Sequence, residues 1–301
     1  MGKRLSIALA LLATAGLVQA SASPWAKIET ATPGPPRVIG KVSYGCISGA
    51  EALPETGVGY VSIRRHRNRF YGHPETLKLV QGLGEELAKR RQDRKLMIGD
   101  LSQPRGGLMS SMHRSHQNGV DVDVWFTLTE SVEHAKKLAP EGNDPPSMLQ
   151  ADKRLTSQHW GEDQLFLLKT AAENPQVERI FINPGIKLAV CASQGPDAPW
   201  LQKLRPWHGH DAHFHVRLKC PEGSPDCEQQ APLPPGSGCG AELASWFKPK
   251  PAVKPTKEAE KPPAKPVKPA PPPIPPQCRP VLAQGTDAKL AEQRADFLST
   301  H

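Results

Sequence analysis

His113-Arg114-Ser115-His116-Gln117-Asn118-Gly119-Val120-Asp121-Val122-Asp123-Val124-Trp125-Phe126 opens with two histidines and closes on an alternation of apolar and acidic residues. Far downstream, His213-Phe214-His215-Val216-Arg217-Leu218-Lys219 alternates in the same way. A period of two is that of a half-buried strand. It puts Asp121 and Asp123 on one face and the valines on the other, and it puts His213, His215, Arg217 and Lys219 together on one face of the second segment. Between His116 and the acidic run, Gln117-Asn118-Gly119 is a turn that lets the chain fold His116 back toward Asp123. The two segments predict strands of one sheet.

The polar residues on those strands are metal-binding types. Two histidines, two alternate carboxylates and a His-x-His pair are the donors of a tetrahedral zinc site with an open position. In catalytic sites three protein ligands hold the zinc, water or substrate takes the fourth place, and the water's pKa falls to about 7. Such a site points to hydrolysis. Histidines two apart on a strand start roughly 6.5–7 Å apart, which suits one ligand and one neighbour acting on the water. Other hydrolase layouts are missing: there is no His-Glu-x-x-His, no Gly-x-Ser-x-Gly elbow and no convincing Ser-x-x-Lys nucleophile.

The rest of the 301 residues sets the compartment. Lys3 and Arg4, the apolar run Leu5 to Val18, and the small-residue end Val18-Gln19-Ala20 read as a secretory signal over residues 1–20, with Ala20-Ser21-Ala22 serving nearly as well. No other run is long enough to cross a bilayer. The mature protein is therefore expected to be exported to the periplasm, without a membrane span. Six cysteines fit that compartment, and an even count implies disulfides. Only Cys220 and Cys227, bracketing a Pro-Glu-Gly-Ser-Pro stretch, invite a local pairing. A Cys-rich zinc site is disfavoured because no Cys-x-x-Cys occurs.

Proline is abundant, at 33 residues, and clustered. Residues 248–277 cannot build a core and read as extended polyproline II. Residues 21–247 suffice for one domain with a real core, and 248–301 form a Pro/Lys-rich tail. The formal charge of +8 comes largely from that tail. It suits an anionic polymer such as cell wall, and equally a solvated lysine surface. Export and the lack of aromatic-basic interleaving argue against nucleic acid. The sequence does not choose between a monomer and a homo-oligomer.

Apolar spacing predicts an amphipathic helix over 75–91 and a second over 163–173. Short strands are expected at 95–99, ahead of the Gly106-Gly107 loop, and at 177–183, with a short helix over 185–190. The fold class that follows is α+β: a single domain whose central, mainly antiparallel sheet carries the zinc site, flanked by helices and stapled by disulfides.

His116-x-x-Gly119-x-Asp121-x-Asp123 followed by His213-x-His215 resembles the zinc peptidases grouped around lysostaphin and the D-Ala-D-Ala peptidases, and most closely the penicillin-insensitive murein endopeptidases. Gly99-Asp100, Gln103-Pro104-x-Gly106-Gly107, Arg179-Ile180-Phe181-Ile182-Asn183-Pro184, Arg205-Pro206-Trp207, Ala212-His213-x-His215-Val216-Arg217-Leu218 and Gly238-Cys239-Gly240-Ala241-Glu242-Leu243 all resemble that family, from about Pro24 to about Cys278. The resemblance implies zinc held by His116, Asp123 and His215, with His213 and His210 as catalytic groups around the water. It implies that His113 can hold a second metal ion; Asp152 is a guess for the same site. It implies the pairs Cys46–Cys278, Cys191–Cys239 and Cys220–Cys227, the first of which would make the tail a strap.

The activity implied is hydrolysis of the D-alanyl–meso-diaminopimelyl cross-link between peptidoglycan stem peptides. The alternatives are a D,D- or L,D-carboxypeptidase on the same site and a non-catalytic periplasmic module binding metal or wall. Asp121 is expected to orient a histidine ligand. Arg105, Arg205 and Arg217 are candidate anchors for a substrate carboxylate, and Trp125 and Trp207 candidate cleft walls. His208 is expected at the surface, and His66, His73, His134, His159 and His301 as ordinary surface or packing residues.

Overall fold

Short β-prone runs punctuated by glycine open the folded chain. In the computed structural model, which describes residues 23–109, 113–195, 197–249 and 274–284, β1 (Arg37–Lys41) and β2 (Tyr44–Ser48) form an antiparallel hairpin. Residues 1–20, expected to be a signal segment, and tail residues 250–273 and 285–301 lie outside the described residues. Four short strands follow: β3 (Glu51–Ala52), β4 (Thr56–Gly57), β5 (Tyr60–Ser62) and β6 (Tyr71–Gly72). Then come α1 (Pro74–Arg90), β7 (Leu96–Ile98), β8 (Asp121–Trp125), α2 (Val132–Leu138), α3 (Glu162–Glu173) and β9 (Val177–Ile182). The described chain finishes with α4 (Pro184–Gln194), β10 (Leu204–Pro206), β11 (His213–Leu218), α5 (Ala241–Ser245) and α6 (Cys278–Ala283).

Seven strands make the central sheet, in the order β10-β9-β11-β8-β7-β5-β4. The pairs β10–β9 and β5–β7 are parallel and the rest antiparallel. The fold is α+β with a mainly antiparallel, mixed sheet. Its inner face follows from the sequence. Val122 and Val124 of β8 and Phe214 and Val216 of β11 are buried against Leu77, Val80, Leu83 and Leu87 of α1 and Leu167, Leu168 and Ala171 of α3.

Helix α1 begins where Pro74 stands at its first turn and His73 Nδ1 accepts the Glu75 N–H at 3.2 Å. It sits close to the sheet because Gly59 (φ 67°) and Gly84 touch, and a Cβ on Gly59 would lie 1.9 Å from the Gly84 carbonyl. On the opposite side of the sheet, Trp125 packs with Val61, Met97 and Ala135, which seats α2.

One expectation changes. The alternation of β8 predicts a half-buried strand, yet all five of its residues are buried. The acidic face is covered by the loop carrying His116, itself 0% exposed, and its charges are met by histidines and an arginine rather than by water.

Three disulfides staple the domain: Cys46–Cys278, Cys191–Cys239 and Cys220–Cys227. The first brings Cys278 and Val281 into a small core with Trp25, Ile39 and Cys46. Arg105 holds the same segment. Its Nε donates to the Thr30 carbonyl at 3.1 Å, and its Nη1 donates to the carbonyls of Val281 at 3.0 Å, Leu282 at 3.3 Å and Gln284. Those are C-terminal carbonyls of α6, which otherwise lack partners. Arg105 is therefore a clasp, not a substrate anchor. Arg105→Ala, with the disulfides intact, is expected to cost about 1–3 kcal/mol in urea unfolding. An unchanged midpoint would mean that the disulfide alone holds the strap.

Candidate active site

The outer face of the sheet is a grid set by strand register. Across β8 and β11, Asp121 faces Arg217, Asp123 faces His215 and Trp125 faces His213. Across β11 and β9, His215 faces Phe181 and Arg217 faces Arg179, while Arg205 of β10 aligns with Phe181. Registered pairs point the same way, so these side chains share one face.

His116 enters the grid from the loop. Its backbone is left-handed, at φ 64°, and its N–H donates to Asp121 Oδ2 at 3.1 Å. Gly119, at φ 81°, completes the turn that swings this loop over β8; a Cβ there would lie 2.6 Å from Ile47 Cδ1. The result brings three donor atoms together. His116 Nε2 lies 3.2 Å from His215 Nδ1 and 3.4 Å from Asp123 Oδ1, and His215 Nδ1 lies 3.1 Å from Asp123 Oδ1. Ligands about 2.0–2.1 Å from a tetrahedral zinc are about 3.3 Å from one another. Asp123 Oδ1 is also a buried acceptor with no hydrogen-bond donor among the described residues. The donor set fits a metal ion.

Two overlapping groups, His113/His116/Asp123 and His116/Asp121/His215, also have donor atoms within 4.8 Å of one another. Both are the poorer fit, because each includes a side chain already engaged. Asp121 accepts Arg217 Nε at 2.7 Å and Arg217 Nη2 at 2.9 Å, and its Oδ2 lies 3.2 Å from His215 Nε2. Burial acts to raise the Asp121 pKa, but Arg217 and then His215 outweigh it and hold the carboxyl well below its usual range. His113 Nε2 is hydrogen-bonded to Asp100 Oδ2 at 2.9 Å, and its Nδ1 lies 3.8 Å from Asp123 Oδ2. Asp100 is held by Arg69 at 2.9 Å and Arg67 at 3.4 Å as well. Burial works against its charge, yet His113 and Arg69 bring its pKa down to about 2.

The other candidate histidines gather beside the triad, His210 lining the cleft and His213 largely buried next to Asp123. His213 Nε2 is 3.8 Å from Asp123 Oδ1, and its ring centroid is 5.2 Å from that of Trp125. His210, at φ 54°, has its ring 5.0 Å from His213 and 6.0 Å from His215. Its Nδ1 donates to the His208 carbonyl at 2.8 Å, since a carbonyl only accepts; this leaves Nε2 as the acceptor of the neutral ring. Burial, and then neighbouring His213, lower its pKa to about 4. Two non-glycine residues held at positive φ in one site is strain of the kind stored where function needs fixed geometry.

An open cleft of about 770 Å³ lies over these groups, lined by His113, Arg179, Phe181, Trp207, His210 and His215 among others. Trp207 is a cleft wall, 53% exposed, whereas Trp125 is buried under α2. His208 is exposed at the rim, its ring against Trp246. Asp152 lies elsewhere: it is exposed and caps the backbone N–H groups of Arg154 and Leu155. His73 is a helix cap and His66 a surface partner of Glu141. Arg217 is held by Asp121 and Arg205 is paired with Glu242, although Arg205 Nη1 is enclosed without an acceptor among the described residues. Asp100 and Arg179 stand in stretches that resemble the family, but nothing local in the sequence gave either a role. Register alone brings Arg179 into the cleft.

The sequence profile of the penicillin-insensitive murein endopeptidases matches residues 38–283. The chain belongs to that family. A protein of that name from Haemophilus influenzae is 43% identical over 244 residues, covering 80% of this chain and 85% of its own. One from Klebsiella pneumoniae strain 342 is 44% identical over 250 residues, covering 82% and 89%. One from Escherichia coli O157:H7 is 41% identical over 261 residues, covering 86% and 93%.

The position of Asp121 makes a prediction about the donor triad. Asp121→Asn leaves Arg217 as a buried unpaired cation and loosens His215. It is expected to cost about 3 kcal/mol in unfolding and to weaken metal binding about 10–100-fold in competition with a chelator. Unchanged metal affinity would show that His215 is oriented without it.

Proposed function

We infer that this chain is an exported, zinc-dependent murein endopeptidase that hydrolyses the D-alanyl–meso-diaminopimelyl cross-link between stem peptides. The observation that carries this reading is the triad of donor atoms 3.1–3.4 Å apart at the base of an open cleft, in a chain whose relatives are named for murein endopeptidase activity. Murein lies outside the cytoplasm, which agrees with the signal-like residues 1–20 and a periplasmic location. No helix among the described residues is long and apolar enough to cross a membrane.

We assign one zinc ion to His116, Asp123 and His215. His113 stays with Asp100, because the two arginines on that carboxylate oppose a second cation nearby. Bound at the triad, zinc supplies Lewis acidity, polarising the scissile carbonyl and making the attacking water more acidic.

The protein's own groups do the rest. His213, beside Asp123, takes the proton of the attacking water and delivers it to the leaving amine. Burial lowers its pKa, which keeps the ring neutral and ready to accept. His210 lines the same space; with Nδ1 fixed on the His208 carbonyl, its Nε2 can accept a proton in turn. Phe181 and Trp207 wall the cleft and exclude water from one side of the bound peptide.

The direct test incubates the purified mature protein with cross-linked muropeptide dimers, with and without chelator, and identifies products by mass. Chelator-sensitive conversion of dimers to monomers is expected. Release of free D-alanine would replace the endopeptidase with a carboxypeptidase, and bound zinc with no product would make the chain a non-catalytic module. On the same substrate, His213→Ala is expected to keep its zinc and lose about 10²–10⁴-fold in kcat. Loss of zinc instead would make His213 a ligand.

A further inference from the structure

Three guanidinium groups stand on the cleft face of the sheet, and each has a carboxylate nearby: Asp121 for Arg217, Glu242 for Arg205 and Glu178 for Arg179. Arg217 holds Asp121 with two nitrogens, and its Nη1 reaches Gln230 at 3.3 Å. Arg205 is bound to Glu242. Arg179 has the longest of these ion pairs. Its Nη2 donates to the Ala231 carbonyl at 2.8 Å and lies 3.4 Å from the side chain of Glu178, its chain neighbour. Its Nε is enclosed without any acceptor, and no hydrogen bond engages its Nη1 among the described residues. Across the strand pair it faces another cation, Arg217, whose charge is already met by Asp121. Burial acts most strongly against its charge, Glu178 opposes that, and Arg217 and then Arg205 add smaller unfavourable fields. Even so, Arg179 lines the cleft that holds His215.

We propose that Arg179 is the carboxylate-binding residue of this cleft, taking the free carboxylate on the carbon that bears the scissile nitrogen. This rests on the proposed reaction. In a D-alanyl–meso-diaminopimelyl cross-link, the carbon attached to the scissile nitrogen carries an unblocked carboxylate. That group is one backbone step, about 3.8 Å, from the reacting carbonyl. A hydrogen bond adds about 2.9 Å. The sum matches the spacing of the grid: Arg179 sits one row, roughly 6.5–7 Å along β9, from Phe181, which faces the ligand His215. The carbonyl can therefore lie over the His215 row while the carboxylate reaches the Arg179 row. A planar guanidinium suits a carboxylate in a way a lysine ammonium does not. The groove thus distinguishes an amide whose nitrogen belongs to an α-amino acid from one borne by a simple amine.

The experiment compares kcat/KM for two cross-linked dimers, one with that carboxylate free and one with it converted to the carboxamide. The wild type is expected to prefer the free acid by about 10–100-fold, the range of hydrogen bonds to charged groups. In Arg179→Gln the preference should collapse toward unity, through KM more than kcat, and Arg179→Lys should retain only part of it. Equal losses on both dimers, or a wild type indifferent to the carboxamide, would overturn the proposal. Should Arg179→Gln melt early, Arg179→Lys carries the comparison with its charge retained. Should the wild type cleave neither dimer, the murein reading fails instead; calorimetric binding of the two intact dimers then reads the preference of Arg179 by itself.

Discussion

The buried pair of Asp121 with Arg217 is the contact on which the rest of the site depends. A single carboxylate, with no exposed surface, accepts two nitrogens of Arg217, accepts the backbone N–H of His116 and lies 3.2 Å from His215 Nε2. It thereby ties the loop that brings one donor to the strand that brings another. Removing either partner from such a pair leaves an uncompensated charge in a low-dielectric interior, which costs more than the pair itself contributes. The left-handed backbone of His116 is tolerable for the same reason. The hydrogen bond from its N–H fixes that conformation from outside the residue.

Around that pair, charge changes in steps across the sheet. The Asp121 row is closed: acid and base cancel, and nothing is left over on β8 or β11. The Asp123 row is one cation short. Four imidazoles approach its carboxylate, two of them within 3.4 Å, yet Oδ1 has no hydrogen-bond donor among the described residues, and a buried acceptor of that kind calls for a positive charge. Next to it, Asp100 is satisfied by His113 and two arginines, so the shortfall belongs to one carboxylate and not to a diffuse acidic patch. The unmet acceptor therefore marks a single place in the site.

Strand alternation and helix spacing were legible because both are local. The valines and carboxylates of β8, the apolar steps of α1 and the His-x-His of β11 each report their faces within a few residues. Donor types were legible too, since few combinations of histidine and carboxylate on alternate positions have any other use. Arginines were not. Arg105, Arg205 and Arg217 look alike in sequence, and each had a claim on a substrate carboxylate. Their fates were decided by partners far along the chain, including carbonyls of α6 for Arg105 and Glu242 for Arg205. Arg179 was passed over for the same reason: only the register of β9 against β11 shows that it shares a face with His215. The full burial of β8 was also hidden, because the cover comes from a loop whose path depends on Gly119 and on a hydrogen bond to Asp121.

The alternation that builds the donor triad also limits it. Along β8 the outward residues are Asp121, Asp123 and Trp125, and along β11 they are Arg217, His215 and His213. Acid meets base in the first row and acid meets donor in the second. The third row sets an indole against an imidazole, with ring centroids 5.2 Å apart and no carboxylate between them. An acidic residue in place of Trp125 would supply His213 with the partner that makes a histidine a good ligand, and the site would close around its ion with four protein donors. The indole gives His213 a wall in place of a charge. His213 is thus held near Asp123 but outside the 3.1–3.4 Å spacing of the triad. A period of two, with one aromatic residue at its third step, is enough to keep the third row out of the donor cluster.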